Sequence, residues 1–207
     1  MTGYSAPGGT EQEYSTTNRT RAELLVNGVY PEKVRDHAAE VLEDVEPGVE
    51  RYRYAAALTE FVYENVDGTD GESNKALYRP DYVLDHSVKS DCEDQAVLLA
   101  SLLMVRSFKT RLLGVVGKDW GNHLMIQVCF PENSVEDLHG EAEDFYSVEV
   151  PGIRFQSDRS GGVWLLCDPV YSPVVGCINE EFFQERNGGE LVFKEDTRYD
   201  YFSLEDS

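Results

Sequence analysis

The sequence has few basic residues and no long apolar segment. Of its 207 residues, 18 are Lys or Arg and 39 are Asp or Glu, which gives a formal net charge of −21. No stretch approaches the roughly 18 consecutive apolar residues of a transmembrane helix, and the N-terminal residues lack the basic start and apolar core of a secretory signal. Because anionic membranes and nucleic acid phosphates attract basic patches, we expect neither as a partner.

Sequence patterns for metal ions, cofactors and disulfide frameworks are also missing. The cysteines contain no C-x-x-C pair and the histidines share no close metal-ligand spacing, so we expect no zinc site. There is no EF-hand calcium loop and no phosphate-binding glycine loop, so we expect no cofactor. A disulfide framework is not expected in a chain of this length without an export signal. The cysteines and histidines are Cys92, Cys129, Cys167, Cys177, His37, His86, His123 and His139.

The acidic residues are spread along the whole chain and are not gathered in one tail. Repulsion at this charge opposes a compact fold in dilute buffer, whereas the Debye length falls to about 3 Å at molar salt. We therefore expect a cytoplasmic protein from a salt-loaded cell, of haloarchaeal type. An acidic mesophilic protein that meets a basic partner is the alternative, and the composition leaves it open.

The length fits a single domain, and a hydrophobic content of 41% rules out a wholly disordered chain. Because residues 1–20 are rich in small and polar side chains, we expect them to be disordered. We assign the domain to residues 21–196 and an acidic C-terminal tail to residues 197–207.

The order of predicted elements indicates the fold class. Apolar spacing predicts helices over 21–45 with breaks at Gly28 and Pro31, over 49–65 and over 90–106, with a short turn at 79–86. Strands are predicted over 110–117, 123–130, 145–150, 162–167 and 190–194, with an exposed connection over 131–144 and a short helix over 179–186. Helices followed by strands are typical of an α+β fold with an antiparallel sheet.

Cys92 lies where a thiol readily becomes reactive. Ser90 and Glu93, three residues apart, have the form of a capping box, which places Cys92 in the first turn of a helix. The backbone N–H groups and the dipole at a helix N-terminus favour a thiolate, and the same N–H groups can hold an oxyanion. The carboxylates of Asp91, Glu93 and Asp94 oppose a second anion, so this site requires a cationic partner.

His123 and Asp168 are candidate partners for Cys92. His123 begins a predicted strand in which the Leu124 face is core, whereas the face of His123 and Met125 is mixed and partly polar. A histidine beside a thiol can hold it as a thiolate–imidazolium pair. Asp168 ends a strand before Pro169, which is typical of a turn, and in a triad it would accept the second ring N–H of His123. On these patterns alone, Cys92, His123 and Asp168 could each have a structural role instead of a catalytic one.

Three ordered segments of the chain resemble the transglutaminase-like cysteine protease superfamily over about residues 50–175. The segments are 90–103 (SDCEDQAVLLASLL), 122–123 (NH) and 164–169 (WLLCDP). The resemblance implies a papain-like core in which N-terminal helices and a cysteine-bearing helix pack on an antiparallel sheet. It also implies Cys92 as nucleophile, His123 as base and acid, and Asp168 as the residue that orients the ring. Trp120 is our candidate for an aromatic wall of the site.

The resemblance implies a thiol enzyme that cleaves or transfers an acyl group at a peptide or amide bond of a protein or peptide substrate. The second hypothesis is a catalytically inactive binding or scaffold module of the same fold. The acidic residues around Cys92 and the pair Leu124-Met125 after His123 motivate it. A thiol redox protein is the third hypothesis. The sequence argues against it, because no resolving cysteine is near Cys92 in sequence. Substrate identity, hydrolysis or transamidation, and oligomeric state stay open.

Overall fold

The computed structural model describes a helical N-terminal half and a strand-rich C-terminal half. The described residues are 10–11, 16–46, 51–68, 77–117, 121–131, 133–150, 152–157, 162–178, 183–185, 190–194 and 197–204. Over these ranges, every helix is too short or too polar to cross a bilayer.

The helices and strands have well-defined bounds. The helices are α1 (Thr16–Asn27), α2 (Arg35–Val41), α3 (Arg51–Asn65), α4 (Pro80–His86), α5 (Cys92–Val105) and α6 (Val135–Tyr146), with a 3-10 turn at Pro31–Lys33. The strands are β1 (Thr10–Glu11), β2 (Thr110–Gly117), β3 (Gly121–Phe130), β4 (Phe155–Ser157), β5 (Val163–Cys167), β6 (Phe183–Glu185), β7 (Leu191–Phe193) and β8 (Arg198–Ser203).

One sheet organises the molecule, with strand order β1-β8-β2-β3-β5-β4. Strands β8, β2, β3, β5 and β4 pair antiparallel, and the two-residue strand β1 pairs with β8 in parallel. Strands β6 and β7 form a separate antiparallel hairpin. The predicted α+β class, with N-terminal helices and a cysteine-bearing helix on an antiparallel sheet, is confirmed.

Helix α5 lies at the centre of the main core. Ten successive residues, from Asp94 to Leu103, are buried, which is typical of a helix covered on all sides. It packs against β2 and β3 of the sheet and against α3. The apolar side chains of β3 that face this core are Leu124, Ile126, Val128 and Phe130.

The opposite face of β3 is also buried, which the sequence pattern does not predict. Met125 packs in a second apolar cluster with Leu166 of β5 and with Phe183 and Phe193 of the β6–β7 hairpin. This face is mixed as expected, because Gln127 on it has hydrogen bonds with Arg111 and Gln156, but it is buried where a surface was expected. The hairpin that covers this face lies far along the chain, and a local pattern cannot show it.

Two segments expected to be irregular are helices. Residues 80–86 form α4 instead of a turn, and Pro80 occupies its first turn, where a missing backbone N–H costs nothing. Residues 135–146 form α6 instead of an exposed connection. Ser134 caps α6, and its buried residues are Leu138 and Ala142.

The C-terminal third departs furthest from the sequence-based prediction. The strand expected over 145–150 is absent, because Phe145 and Tyr146 end α6 and residues 147–150 are irregular. Where a helix was expected over 179–186, Phe183–Glu185 is strand β6, and the other residues of that segment lie outside the described ranges. Strand β6 takes its form from pairing with β7 in a hairpin, which outweighs local propensity.

Both ends of the chain also contribute to the sheet. Residues 198–203, within the expected acidic tail, form β8 between β1 and β2. In the segment expected to be disordered, Thr10–Glu11 pairs with β8 and Thr16 begins α1. Residues 1–9 and 12–15 lie outside the described ranges.

Candidate active site

Helix α5 begins with a capping box centred on Asp91. Its Oδ1 accepts the backbone N–H of Glu93 at 3.0 Å and of Asp94 at 3.2 Å, and Oδ2 of Asp94 accepts the N–H of Asp91 at 3.3 Å. Cys92 is therefore the first residue of the helix. The predicted box of Ser90 with Glu93 is wrong by one residue, because Ser90 is buried and donates its hydroxyl to the carbonyl of residue 88.

Cys92, His123 and Asp168 meet at the start of α5. Strands β3 and β5 pair with Ile126 opposite Cys167, which places His123 near the end of β5. Nε2 of His123 lies 2.7 Å from Oδ2 of Asp168, and the side chain of Cys92 is near enough to the ring to raise its pKa. The Asp168 side chain is fully buried and that of His123 is 9% exposed. The structure thus brings together the three residues that the sequence singles out.

The His123 ring is positively charged despite its burial. Burial opposes protonation of the ring, but the hydrogen bond with Asp168, the side chain of Cys92 and the charge of Asp168 outweigh it and raise the pKa of His123 to about 10. With this pKa the ring is an imidazolium at neutral pH and brings a positive charge close to the carboxylates at the helix start.

Two of the neighbouring carboxylates are held by contacts within the protein. Glu93 forms a two-point ion pair with Arg21 of α1, in which Nε of Arg21 lies 3.2 Å from Oε1 and Nη2 contacts Oε2. Asp94 is 1% exposed and accepts the N–H of Tyr78 at 2.8 Å. Burial raises the pKa of Asp94 to about 6, against the effect of this hydrogen bond. Arg21 and Glu93 are 72 residues apart, so sequence reasoning missed the pair.

The turn after Asp168 adds an aromatic side chain to the site. The carbonyl of Asp168 accepts the N–H of Tyr171 at 3.0 Å and of Ser172 at 2.9 Å. This turn places the Tyr171 ring against the His123 ring, with centroids 5.3 Å apart and planes at 74°. Trp120, our candidate for an aromatic wall, lies outside the described residues. The only sequence signal for Tyr171 is its position three residues after Asp168.

A buried tyrosine and a half-buried one hold the segment that follows this turn. The hydroxyl of Tyr52 in α3 donates to the carbonyl of Val175 at 2.9 Å. The hydroxyl of Tyr146 at the end of α6 donates to the carbonyl of Pro173 at 2.9 Å. Two helices therefore fix the path of the chain just beyond Asp168. Neither tyrosine stands out in the sequence, because both contacts span long sequence separations.

The other cysteines lie in or beside the core. Cys129 and Cys167 are buried and Cys177 is half-buried, and none of the four cysteines, all of which are described, is in a disulfide bond. Burial raises the pKa of Cys167 to about 12, so that side chain stays a neutral thiol. Among the described residues, no group of three or more His, Cys, Asp or Glu side chains is placed to hold a metal ion.

No protein-family model matches the chain, and no curated protein sequence matches it. The solved structures that are similar to it in fold include the following two. A candidate cysteine protease from Cytophaga hutchinsonii has 14% sequence identity and a TM-score of 0.47, over 95% of this chain and 61% of that one. Calcium-bound LapG from Legionella pneumophila has 10% identity and a TM-score of 0.43, over 81% of this chain and 83% of that one. The chain thus spans less than two thirds of the first structure.

Proposed function

We propose that the protein is a thiol enzyme that cleaves peptide or amide bonds through Cys92, His123 and Asp168. The observation that carries the proposal is the hydrogen bond between His123 and Asp168 beside Cys92, the first residue of α5. A buried imidazolium in contact with a thiol at a helix N-terminus favours the thiolate, the reactive form of cysteine.

The proposed reaction proceeds through an acyl-thioester. The Cys92 thiolate attacks the carbonyl carbon, and the developing oxyanion accepts a hydrogen bond from the backbone N–H of Cys92. His123 gives its proton to the leaving amine as the carbon–nitrogen bond breaks. Asp168 keeps the ring oriented and stabilises its charge. Water then attacks the thioester and gives its proton to His123, which releases the acid and restores the charged pair; an amine in place of water would give transamidation.

The pairs around the helix start support this assignment. Arg21 balances the charge of Glu93, the residue after Cys92. Asp94 accepts backbone N–H groups on both of its oxygens, and burial raises its pKa. The negative field that opposes a thiolate at Cys92 is thereby weakened, and the positive charge of His123 acts on the nearby thiol.

The rate of Cys92 alkylation by iodoacetamide at different pH values tests the proposal. Each thiol is followed by peptide mapping, with half-buried Cys177 as the internal reference. We expect fast labelling of Cys92 near pH 6 and a loss of at least about tenfold in His123→Ala, because an ordinary thiol with a pKa near 8.5 is almost fully protonated at that pH. His139→Ala is the matched control, since this half-exposed histidine lies on α6.

The inactive binding module makes the opposite prediction. Labelling of Cys92 would then follow an ordinary thiol and would be identical in the wild-type protein and in His123→Ala. Turnover of a peptide substrate adds a second criterion. Cys92→Ala should abolish it with little loss of folding, and turnover that persists in this variant would refute the assignment of the nucleophile.

We also propose a setting for the enzyme, the cytoplasm of a salt-loaded cell. The net charge of −21 supports this proposal, because such a charge is tolerated best where salt screens it. The dependence of stability on salt, described in the Discussion, tests it.

A further inference from the structure

An exposed apolar patch, formed by Val170 and Tyr171, lies beside the His123 ring. Tyr171 is 52% exposed and its neighbour Val170 is 38% exposed. The Tyr171 ring meets the His123 ring at an angle of 74°, with a centroid distance of 5.3 Å. Much of the tyrosine therefore remains in water although its ring contacts the proposed catalytic base.

Backbone hydrogen bonds hold this apolar patch in place. Tyr171 and Ser172 donate their N–H groups to the carbonyl of Asp168, and the segment beyond is tied to Tyr52 and Tyr146. An aromatic side chain with two rotatable bonds on a fixed turn loses little conformational entropy when a ligand packs on it. Aromatic side chains of this kind are enriched where proteins bind apolar groups.

The contact between Tyr171 and His123 indicates which part of a substrate the apolar patch would bind. His123 gives a proton to the leaving amine and takes one from the group that attacks the thioester, so both groups occupy the same place next to the ring. Tyr171 packs against this same ring. The leaving group and the attacking group both have to approach the ring, which makes the residue on the leaving-group side of the scissile bond the part of a substrate to consider for Tyr171 and Val170.

We propose that Tyr171, together with Val170, binds the substrate residue on the leaving-group side of the scissile bond and selects a large apolar or aromatic side chain there. This inference rests on the proposed function. The three residues of the proposed reaction are Cys92, His123 and Asp168. The inference adds Tyr171 to them as a residue that contacts the substrate and determines specificity.

Competition between two amines for one acyl-enzyme tests the selection. Sγ of Cys92 attacks p-nitrophenyl acetate, the carbon–oxygen bond breaks, and p-nitrophenolate leaves while His123 loses its proton to solvent. An added amine then attacks the thioester, the carbon–sulfur bond breaks, and the amine proton passes to His123. With equal concentrations of phenylalaninamide and glycinamide, we expect the acetylated phenylalaninamide to form at least tenfold faster.

Variants separate substrate binding from support of the His123 ring. Because both amines capture the same thioester, the ratio of their products does not depend on the rate of acylation. Tyr171→Ala should reduce the ratio to below about threefold, and Tyr171→Phe should keep it. Tyr63→Ala, which alters an exposed tyrosine of α3, is the control and should leave the ratio unchanged. An unchanged ratio in Tyr171→Ala would overturn the proposal, whatever happens to the overall rate.

A binding measurement keeps this proposal distinct from the catalytic one. If p-nitrophenolate is not released and no acetyl group appears on Cys92, the proposed reaction is wrong. Binding of phenylalaninamide to the full chain carrying Cys92→Ala is then followed by NMR. We expect it to shift the backbone amide signals of Val170 and Tyr171 more than glycinamide does. Equal or absent shifts would overturn the selection of apolar groups.

Discussion

At the scale of single residues, the charge of His123 depends on neighbours that the protein folds around it. Its ring donates to Oδ2 of Asp168, while Oδ1 of this carboxylate has no hydrogen-bond partner among the described residues. The buried carboxylate is thus compensated mainly by the imidazolium. Removal of either charge would leave the other without its counterion inside the protein, which is costly.

The pairing of His123 with Asp168 predicts a pH-dependent stability difference. The pKa of His123 is raised from about 6.5 in the unfolded chain to about 10 in the fold. The stabilisation is therefore fully present below pH 6.5 and is lost as the pH rises through 10. Asp168→Asn should lower the free energy of unfolding by about 1–3 kcal/mol at pH 6, and the difference should shrink toward pH 10. Urea denaturation of both proteins across this range measures it; a difference constant with pH would contradict the charged pair.

Gly176 lies in the segment that follows Asp168 and has a backbone conformation that favours glycine. Its φ is +90°, and a Cβ atom there would lie 2.7 Å from Cβ of Ile153. We expect Gly176→Ala to lower the free energy of unfolding by about 1–3 kcal/mol. Gly140, with no atom within 4 Å of a built Cβ, is the matched site on helix α6. Gly140→Ala should instead stabilise the protein by roughly 0.5–1 kcal/mol, and chemical denaturation compares the two.

At the scale of secondary-structure elements, the start of a helix determines the position of the side chains in its first turn. Helices α5 and α6 both begin with a capping box, formed by Asp91 with Asp94 and by Ser134 with Asp137. Only α5 carries a cysteine as its first residue. The two helices therefore offer a comparison of the same structural motif with and without the proposed chemistry.

Loss of either cap should cost similar stability but should affect Cys92 differently. We expect Asp91→Ala and Ser134→Ala each to lower the free energy of unfolding by about 0.5–2 kcal/mol, because each removes a side-chain acceptor for orphan N–H groups. Asp91→Ala should also slow alkylation of Cys92 at pH 6 severalfold, because we expect the loss of the helix-start geometry to outweigh the removal of a negative charge near the thiol, whereas Ser134→Ala should not. Equal alkylation rates in the two variants would show that the cap does not position Cys92.

The success of the sequence-based prediction also differs from element to element. Helix α3 and strands β2, β3 and β5 lie where apolar spacing predicts them, and α5 begins two residues after its predicted start. These elements carry a strong period, and most are buried. Helix α6 was missed although it is amphipathic, because polar residues outnumber its two buried side chains. Strand β8 was missed because its stability comes from pairing with β1 and β2.

At the scale of the whole molecule, negative charge dominates. The described surface carries ion pairs such as Arg53 with Asp144 and Arg79 with Asp81. With 39 acidic and 18 basic residues, such pairs can neutralise fewer than half of the carboxylates. The remaining carboxylates repel one another over distances that salt screens.

This excess predicts a strong dependence of stability on salt. We expect the urea concentration at the midpoint of unfolding to rise steadily as KCl is raised from low to molar concentration, because screening relieves repulsion in the compact state. An equal osmotic concentration of sucrose, which carries no charge, is the control for solvent exclusion. A midpoint that is already high in dilute buffer and does not change with KCl would favour the mesophilic alternative.

The sequence by itself determined the α+β class, the central elements and the three residues proposed for chemistry. These features are local, because apolar periods, helix caps and residue types can be recognised within a few positions of the chain. The tertiary structure alone decided what surrounds the three residues. The pairing of β3 with β5 places His123 beside Asp168 across 45 residues, and α1 supplies Arg21 to Glu93 across 72. The contact with Asp168, which raises the pKa of His123 against the effect of burial, exists only once the chain has folded.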